Sequence, residues 1–378
     1  MKENLKTTAK RRIVVSVTND LLTDQRVQRT CDALYAAGYM VELVGRNWPD
    51  GRRLVKPYRC VKMRLIFHSS VLFYAEYNLR LFFKLLISRA DAFYANDTDT
   101  LLASGLAARI RRKPLLFDAH ELFPDVPELM GRSFVRKIWR VVEKRCVPRA
   151  KVCITVCESV ANEYFARYGV KFGVVRNLSD NVGEVEVGGH RESEHVLIYQ
   201  GAVNVGRCVK EIIDAMEYVT DYQLVVAGIG DQYEAMRQYA VSRPYQGRIK
   251  MLGRVSPKDL HQLTKRADLG FCVMENMGLN YYYSLPNRIS DYVAAEVPVL
   301  ASDFPEIRRV VEKYRIGKLV DQETIHNPQL LAQSIKETLC VWEKLDDGQR
   351  KERFVEAREE LSWKREKEKL LGYVDALF

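Results

Sequence analysis

Short apolar-rich runs alternate with longer amphipathic stretches along most of the chain. Residues 13–17 (IVVSV), 41–44, 61–66, 92–95, 115–117 and 152–156 have the length and composition of buried strands. Between them, residues 25–37, 72–87, 101–111 and 134–145 place apolar side chains at helical spacing. Residues 179–194 (SDNVGEVEVGGHRESE) are polar, contain glycine and have no period, which predicts a linker. A second alternation follows, with strands at 195–199, 223–227, 249–252, 269–273 and 297–301. Helices are expected at 209–218, 231–241, 257–266 and 286–295, and beyond Val320 the chain is helical and charged. The pattern predicts an α/β protein of two doubly wound domains, 1–178 and 195–345, with terminal helices over 346–378. In such sheets ligands bind beyond the carboxyl ends of the strands, so the loops there are where chemistry is sought.

Composition narrows the class. At 378 residues, 47% hydrophobic and 29% charged, the chain supports two substantial cores. It has no apolar run near the roughly 20 residues needed to cross a bilayer, and residues 1–12 lack the apolar centre of a secretory signal. The eight cysteines are scattered, as expected of reduced core residues in a cytoplasmic protein. Charge is uneven: residues 1–180 hold 32 Lys+Arg against 18 Asp+Glu, a balance of +14, and the remainder is −4. A basic first half suits an anionic partner such as a phospholipid surface or a pyrophosphate-linked acceptor, or simply a solvated surface. No nucleic-acid motif accompanies it, so nucleic acid is not an expected partner.

The most informative stretch is Ser284-Leu285-Pro286-Asn287-Arg288-Ile289-Ser290-Asp291-Tyr292. It reads as a polar cap, a proline at the first helical position and about two turns of helix. Free amides at such a start attract phosphate, and Asp291 would share a face with Asn287 and Ser284. An ordinary capped helix has the same pattern. Earlier, Tyr199-Gln200-Gly201 to Gly206-Arg207 reads as a strand, a flexible loop and a helix starting at an arginine suited to phosphate. Gly228-Ile229-Gly230 is not a dinucleotide fingerprint, because Tyr233 stands where the third glycine would be. In the first half, Asp118-Ala119-His120-Glu121 follows a strand; it lacks the second histidine of a zincin, so zinc hydrolysis is not expected. The first loop, 18–26, lacks the glycines of an NAD site, and Asp24 is also placed to cap the next helix. Asp97-Thr98-Asp99 sits at a helix start and reads as capping. Residues 67–87 mix aromatic and basic side chains, a stripe that fits either a core helix or a membrane interface.

The 284–292 run resembles the SLPNK-x-x-E-Y signature of bacterial retaining glycosyltransferases of family 4, which have the GT-B fold of two Rossmann-like domains facing across a cleft. The loop ending in Gly206-Arg207 is similar to the family's Y-x-G…GRG element, with Cys208 in place of a glycine. The His120-Glu121 run is similar to its D-x-H-E element.

The resemblance implies that Arg207 binds the donor diphosphate, His120 faces the donor sugar and Asp291 anchors the ribose. Gly201, Gly206, Gly228, Gly230, Arg254, Val255, Ser284, Leu285, Pro286 and Asn287 would line the donor site. Asp24, Arg26 and Glu121 would lie toward the acceptor. The family's E-x7-E pair is altered here to Tyr283 and Asp291, which leaves Glu275 and Asn280 as candidates for the missing sugar contact. The expected partners are a nucleotide-diphosphate sugar and a glycan or lipid-linked acceptor, with peripheral contact to an anionic membrane, and no cofactor or metal. The terminal helices 346–378 would return to the first domain. Two other readings share these features: a nucleotide-sugar epimerase of the same fold, and a catalytically degenerate binding protein.

Overall fold

The computed structural model describes residues 11–22, 24–46, 54–126, 129, 131–178 and 195–378. The expected linker, 179–194, and residues 1–10 lie outside the described residues. The chain divides into two compact units, Met1–Asn177 with Glu366–Phe378, and Leu178–Arg365.

The first unit is a seven-stranded sheet in the order β3-β2-β1-β4-β5-β6-β7, and its paired strands run parallel. Its strands are β1 (Arg12–Asp20), β2 (Met40–Arg46), β3 (Arg59–Met63), β4 (Ala92–Asn96), β5 (Leu115–Ala119), β6 (Val152–Thr155) and β7 (Gly173–Val174). The helices between them are α1 (Gln25–Ala36), α2 (Ser70–Ile87), α3 (Thr98–Arg111), α4 (Ser133–Cys146) and α5 (Glu158–Tyr168). Every residue of β4 and β5 is buried, as central parallel strands covered on both faces require. Strand order reverses between β1 and β4, which puts the switch point of the sheet at their carboxyl ends.

The second unit is a six-stranded parallel sheet in the order β10-β9-β8-β11-β12-β13. It comprises β8 (Val196–Gln200), α6 (Val209–Ala215), β9 (Gln223–Ala227), α7 (Tyr233–Val241), β10 (Ile249–Gly253), α8 (Pro257–Thr264) and β11 (Leu269–Cys272). It continues with α9 (Leu279–Tyr282), α10 (Arg288–Ala294), β12 (Val299–Ser302), α11 (Pro305–Tyr314), β13 (Gly317–Val320), α12 (Gln322–His326), α13 (Pro328–Glu343) and α14 (Asp347–Glu360). Alternate strand residues face opposite layers. Leu197, Tyr199, Leu224 and Val226 meet Ile212, Ile213 and Ile335 on one side, while Ile198, Val225 and Cys272 meet Ile289, Ile307 and Phe354 on the other. Here the switch point lies between β8 and β11.

The terminal helices divide differently from the sequence expectation. Phe354 and Ala357 of α14 are buried in the second unit's core, because they complete the layer over α10 and α11. The last helix, α15 (Trp363–Asp375), groups with the first unit only from Glu366 onward, not from 346.

Candidate active site

In the first unit, the loops at the carboxyl ends of β1, β4 and β5 bring together a histidine and several acids. His120 follows β5 directly. Its Nδ1 lies 3.2 Å from Asp97 Oδ2 and its Nε2 3.4 Å from Asp118 Oδ2. The His120 amide donates to Asp97 Oδ1 at 2.8 Å. Burial opposes charge on the ring, but Asp97 and Asp118 outweigh it and raise the His120 pKa to about 9. Asp118 is almost fully buried; burial would raise its pKa, yet Arg26 and His120 hold it well below the usual carboxylate range. At neutral pH His120 is therefore an imidazolium, which donates hydrogen bonds and takes no proton.

Asp97 and Asp99 correct the sequence reading. Neither caps α3 with its side chain. Asp97 holds φ at 59°, an uncommon conformation that aims its carboxylate at His120. Asp99 accepts from the Thr18 hydroxyl across the β1/β4 switch point, and its other oxygen, Oδ1, is buried without a hydrogen-bond partner. Burial first, and then the neighbouring Asp97, push its pKa well upward.

The three residues expected near the acceptor separate. Asp24 caps α1, accepting from the Val27 amide at 3.0 Å and from Asn19 Nδ2 at 2.9 Å. Arg26 is 5% exposed and pairs with Asp118 at 2.7 Å while donating to the Val175 carbonyl at 3.0 Å. Its buried guanidinium braces Asp118 and is not placed to touch an acceptor. Glu121 remains partly exposed.

The second unit gathers the expected donor residues at the carboxyl ends of β8, β9, β10 and β11. Here too the helix starts differ from expectation. Helix α10 begins at Arg288 with Asn287 as its cap residue, so Pro286 and Ser284 precede it. The Ser284 hydroxyl closes a turn on the Tyr281 carbonyl at 2.8 Å, and only Asn287 and Asp291 share a turn of α10. Among the described residues, the amides of Leu285, Asn287 and Arg288 meet no hydrogen-bond acceptor. Asp291 accepts from Gln200 Nε2 at 3.0 Å, and Gln200 Oε1 in turn accepts from the Thr264 hydroxyl at 2.6 Å.

Helix α6 likewise starts at Val209, not at Arg207, because Cys208 adopts φ 52° where the family has glycine. The Arg207 guanidinium lies 4.5 Å from the Tyr281 ring centre and donates to the Met274 sulfur. Arg288 is 7% exposed, stacks 4.5 Å from the Tyr199 ring centre and lies beside Gly201. Neither guanidinium has a carboxylate partner among the described residues, and each keeps a buried nitrogen unbonded. Burial raises the Cys272 thiol to about 11 despite the opposing charge of both arginines. Gln200, Arg288, Asp97 and Asp99 are the site residues the sequence reading missed. Arg288 was findable, since it occupies the lysine position of the signature; Asp97 needed the strand order.

Gly228 and Gly230 have a packing role. A Cβ on Gly228 would sit 1.7 Å from the Gly201 carbonyl oxygen, and one on Gly230 2.1 Å from Asn204 Oδ1. The loops after β8 and β9 interlock through these contacts and through Val203 N donating to the Ile229 carbonyl at 3.1 Å. Arg254 is exposed and Val255 partly so, just after β10; Asn280 lies partly exposed on α9. Glu275 turns toward Glu211 and His326, whose ligand atoms lie within 4.8 Å of one another. That group could hold a cation, although His326 Nδ1 already lies 3.7 Å from Glu211 Oε1.

Comparison with known proteins assigns this architecture. Residues 24–178 match the model of Glycosyltransferase Family 4, and residues 184–356 match that of Glycosyl transferases group 1. The chain belongs to these glycosyltransferases. No curated protein matches it by sequence. Among solved structures it is similar to sucrose-phosphate synthase from Thermosynechococcus elongatus, with 15% identity, TM-score 0.73, and 98% of this chain and 99% of that one covered. Anabaena HepE in complex with UDP-glucose gives 15% identity, TM-score 0.72 and coverage of 97% and 99%. The UDP-GlcNAc 2-epimerase from Methanocaldococcus jannaschii is less similar, with 14% identity, TM-score 0.56 and coverage of 87% and 92%. At these identities the likeness establishes the GT-B fold. No helix among the described residues is long and apolar enough to cross a membrane.

Proposed function

We propose that this glycosyltransferase moves a sugar from a nucleoside-diphosphate donor to a glycan or lipid-linked acceptor, with retention and without a metal, in the synthesis of a cell-surface polysaccharide. The observation that carries the donor assignment is the pair Arg207 and Arg288 at the β8/β11 switch point, two cations with no carboxylate partner among the described residues. A diphosphate would complete that charge balance, helped by the unbonded amides of residues 285, 287 and 288. As the bond to the sugar breaks, charge grows on the leaving diphosphate, and fixed cations stabilise that state more than the ground state. Asp291, held by Gln200, is assigned to the ribose hydroxyls, and the His120 imidazolium to a hydroxyl of the transferring sugar. That HepE is described with UDP-glucose favours a uridine nucleotide as the first to try.

The test is a thermal-shift screen against UDP, GDP, ADP, CMP and TDP and their common sugars, with and without EDTA. A ligand at 100 times its dissociation constant adds about 2.7 kcal/mol to the folded state. A selective shift that survives EDTA and is lost in Arg207→Ala is the expected result. No shift with any nucleotide would leave a binding protein of degenerate site. Turnover of a nucleotide sugar to its epimer without any acceptor would favour the epimerase.

A further inference from the structure

The first unit buries a carboxyl group that the proposed reaction does not use. Glu143 of α4 is 0% exposed, and it is held by hydroxyls. Its Oε1 accepts from Thr98 Oγ1 at 2.7 Å and from the Tyr164 hydroxyl at 3.1 Å, and its Oε2 accepts from the Tyr168 hydroxyl at 2.6 Å. Arg167, beside Tyr168 in α5, pairs instead with Asp125 and Glu163, each at 2.6 Å. Burial raises the Glu143 pKa against the pull of the hydroxyls and of Arg167. Packing of α4 on α3 and α5 does not call for such a group, since an apolar side chain of the same size would fill the space without the desolvation cost.

The hydroxyls lead to the two loops that form the His120 pair. Thr98 directly follows Asp97, whose backbone stands at φ 59° and ψ 166°, a region that residues other than glycine rarely enter. An acid just before a helix ordinarily turns to the free amides of the first turn. Here both sides of Asp97 are tied: its own amide donates to the Asp118 carbonyl at 2.9 Å, and Thr98 is bound to Glu143. On the other side, the Tyr164 hydroxyl lies 3.3 Å from the carbonyl of Glu121, the residue after His120. One carboxyl group thus reaches, through Thr98 and Tyr164, both segments that meet where Asp97 faces the ring.

We infer that Glu143 is a positioning residue: by holding Thr98 it keeps the Asp97 carboxylate off the start of α3 and turned to the His120 ring. The inference rests on the transferase reading only for the sugar contact assigned to His120; the pairing itself is a property of the chain. With Thr98 released, the backbone at Asp97 relaxes to negative φ and its carboxylate turns to cap α3. His120 then keeps Asp118 but loses the nearer of its two acids, and the ring binds its proton less tightly.

The test is an NMR pH titration of the His120 ring in the full chain, with the thermal response to UDP measured separately on the same samples. Thr98→Val keeps the side chain's shape and removes its hydroxyl. It should lower the ring's midpoint by roughly half to one pH unit, about a three- to tenfold loss of proton affinity. Glu143→Met should do the same. Glu143→Gln keeps an acceptor for Thr98 and should restore the midpoint to within roughly 0.3 unit of wild type. Tyr168→Phe is the control: it also takes a bond from Glu143, but leaves Thr98 in place and should leave the midpoint where it was. Should Glu143→Met fail to fold, Thr98→Val and Tyr168→Phe decide. An unmoved midpoint in folded Thr98→Val, or an equal fall in Tyr168→Phe, would overturn the inference and leave Glu143 a tie between helices. A fall in Glu143→Gln as large as in Glu143→Met would overturn it too, because it would report the field of the lost charge and not the placement of Asp97. The UDP response should be the same in every variant, since its assigned contacts lie in the second unit. Its absence from the wild type would strike the donor assignment alone, because the ring titration is read without a nucleotide.

Discussion

His120 Nδ1 lies 3.2 Å from Asp97 Oδ2, and the same carboxylate receives the His120 backbone amide through its other oxygen at 2.8 Å. Ring and backbone are thus fixed by one acid from a neighbouring strand end. The pair makes pH behaviour predictable. The folded-state pKa of His120, about 9, lies above the ordinary value near 6.5, so protonation favours the folded state. Its stabilisation is complete below about 6.5 and disappears as pH climbs through about 9. Asp97→Asn should keep the amide contact but lower the ring's titration midpoint by more than one pH unit, measured by NMR of the histidine ring protons. The alkaline limb of the activity profile should move down with it. An unmoved midpoint would mean that Asp118 alone sets the charge.

Asp291 depends on Gln200 for its orientation. Gln200 is 2% exposed and spends its amide on Asp291 and its carbonyl on Thr264, so it has one arrangement. Asp291→Ala should weaken nucleoside-diphosphate binding by about 1.5–3 kcal/mol, the range for a hydrogen bond to a charged group. Gln200→Leu should lose part of that without removing any group assigned to the ligand. Calorimetry with the nucleotide that responds in the thermal screen decides it. Equal binding by wild type and Asp291→Ala would remove Asp291 from the ribose.

The interlocked loops give a stability prediction with its own control. Gly228→Ala would force a methyl group to within 1.7 Å of the Gly201 carbonyl, a contact with rigid backbone on both sides. The loop must shift, and a cost of about 2–4 kcal/mol is expected, seen as a lower Tm and a weaker nucleotide response. At Gly247 an added Cβ meets nothing within 4 Å, so Gly247→Ala should be neutral to slightly stabilising. Similar melting curves for both variants would contradict the close-approach account.

The alternation of apolar runs and helical periods made both parallel sheets legible, because strands buried on both faces leave little room for polar residues. Local motifs also named the loops that carry the site. What they did not carry was pairing between loops. Asp97 looked like a cap because it precedes a helix, and only the β1-β4-β5 order shows that its carboxylate meets His120. Pro286 suggested the first helical position, but the turn closed by Ser284 on Tyr281 delays α10 to Arg288. Arg26 was expected to lie toward the acceptor, yet Asp118 draws it into the core at the start of α1.

Arg288 is the residue whose behaviour separates a binding site from a structural brace. A guanidinium 7% exposed and without an acid partner among the described residues burdens the ligand-free protein, since desolvation of a charge is costly unless it is paired. Stacking on Tyr199 offsets part of this. Replacing it with a side chain of similar length and no charge should therefore leave the free protein as stable or more stable. Arg288→Met is expected to hold or raise Tm while weakening nucleoside diphosphate roughly tenfold to a hundredfold, the loss of one charge-assisted contact. The unphosphorylated nucleoside should bind both forms alike, because the contact belongs to the phosphates. A variant that melts well below wild type yet binds the diphosphate normally would make Arg288 a brace for the Gly201 turn. It would also leave Arg207 as the remaining cation of the pair for the leaving group.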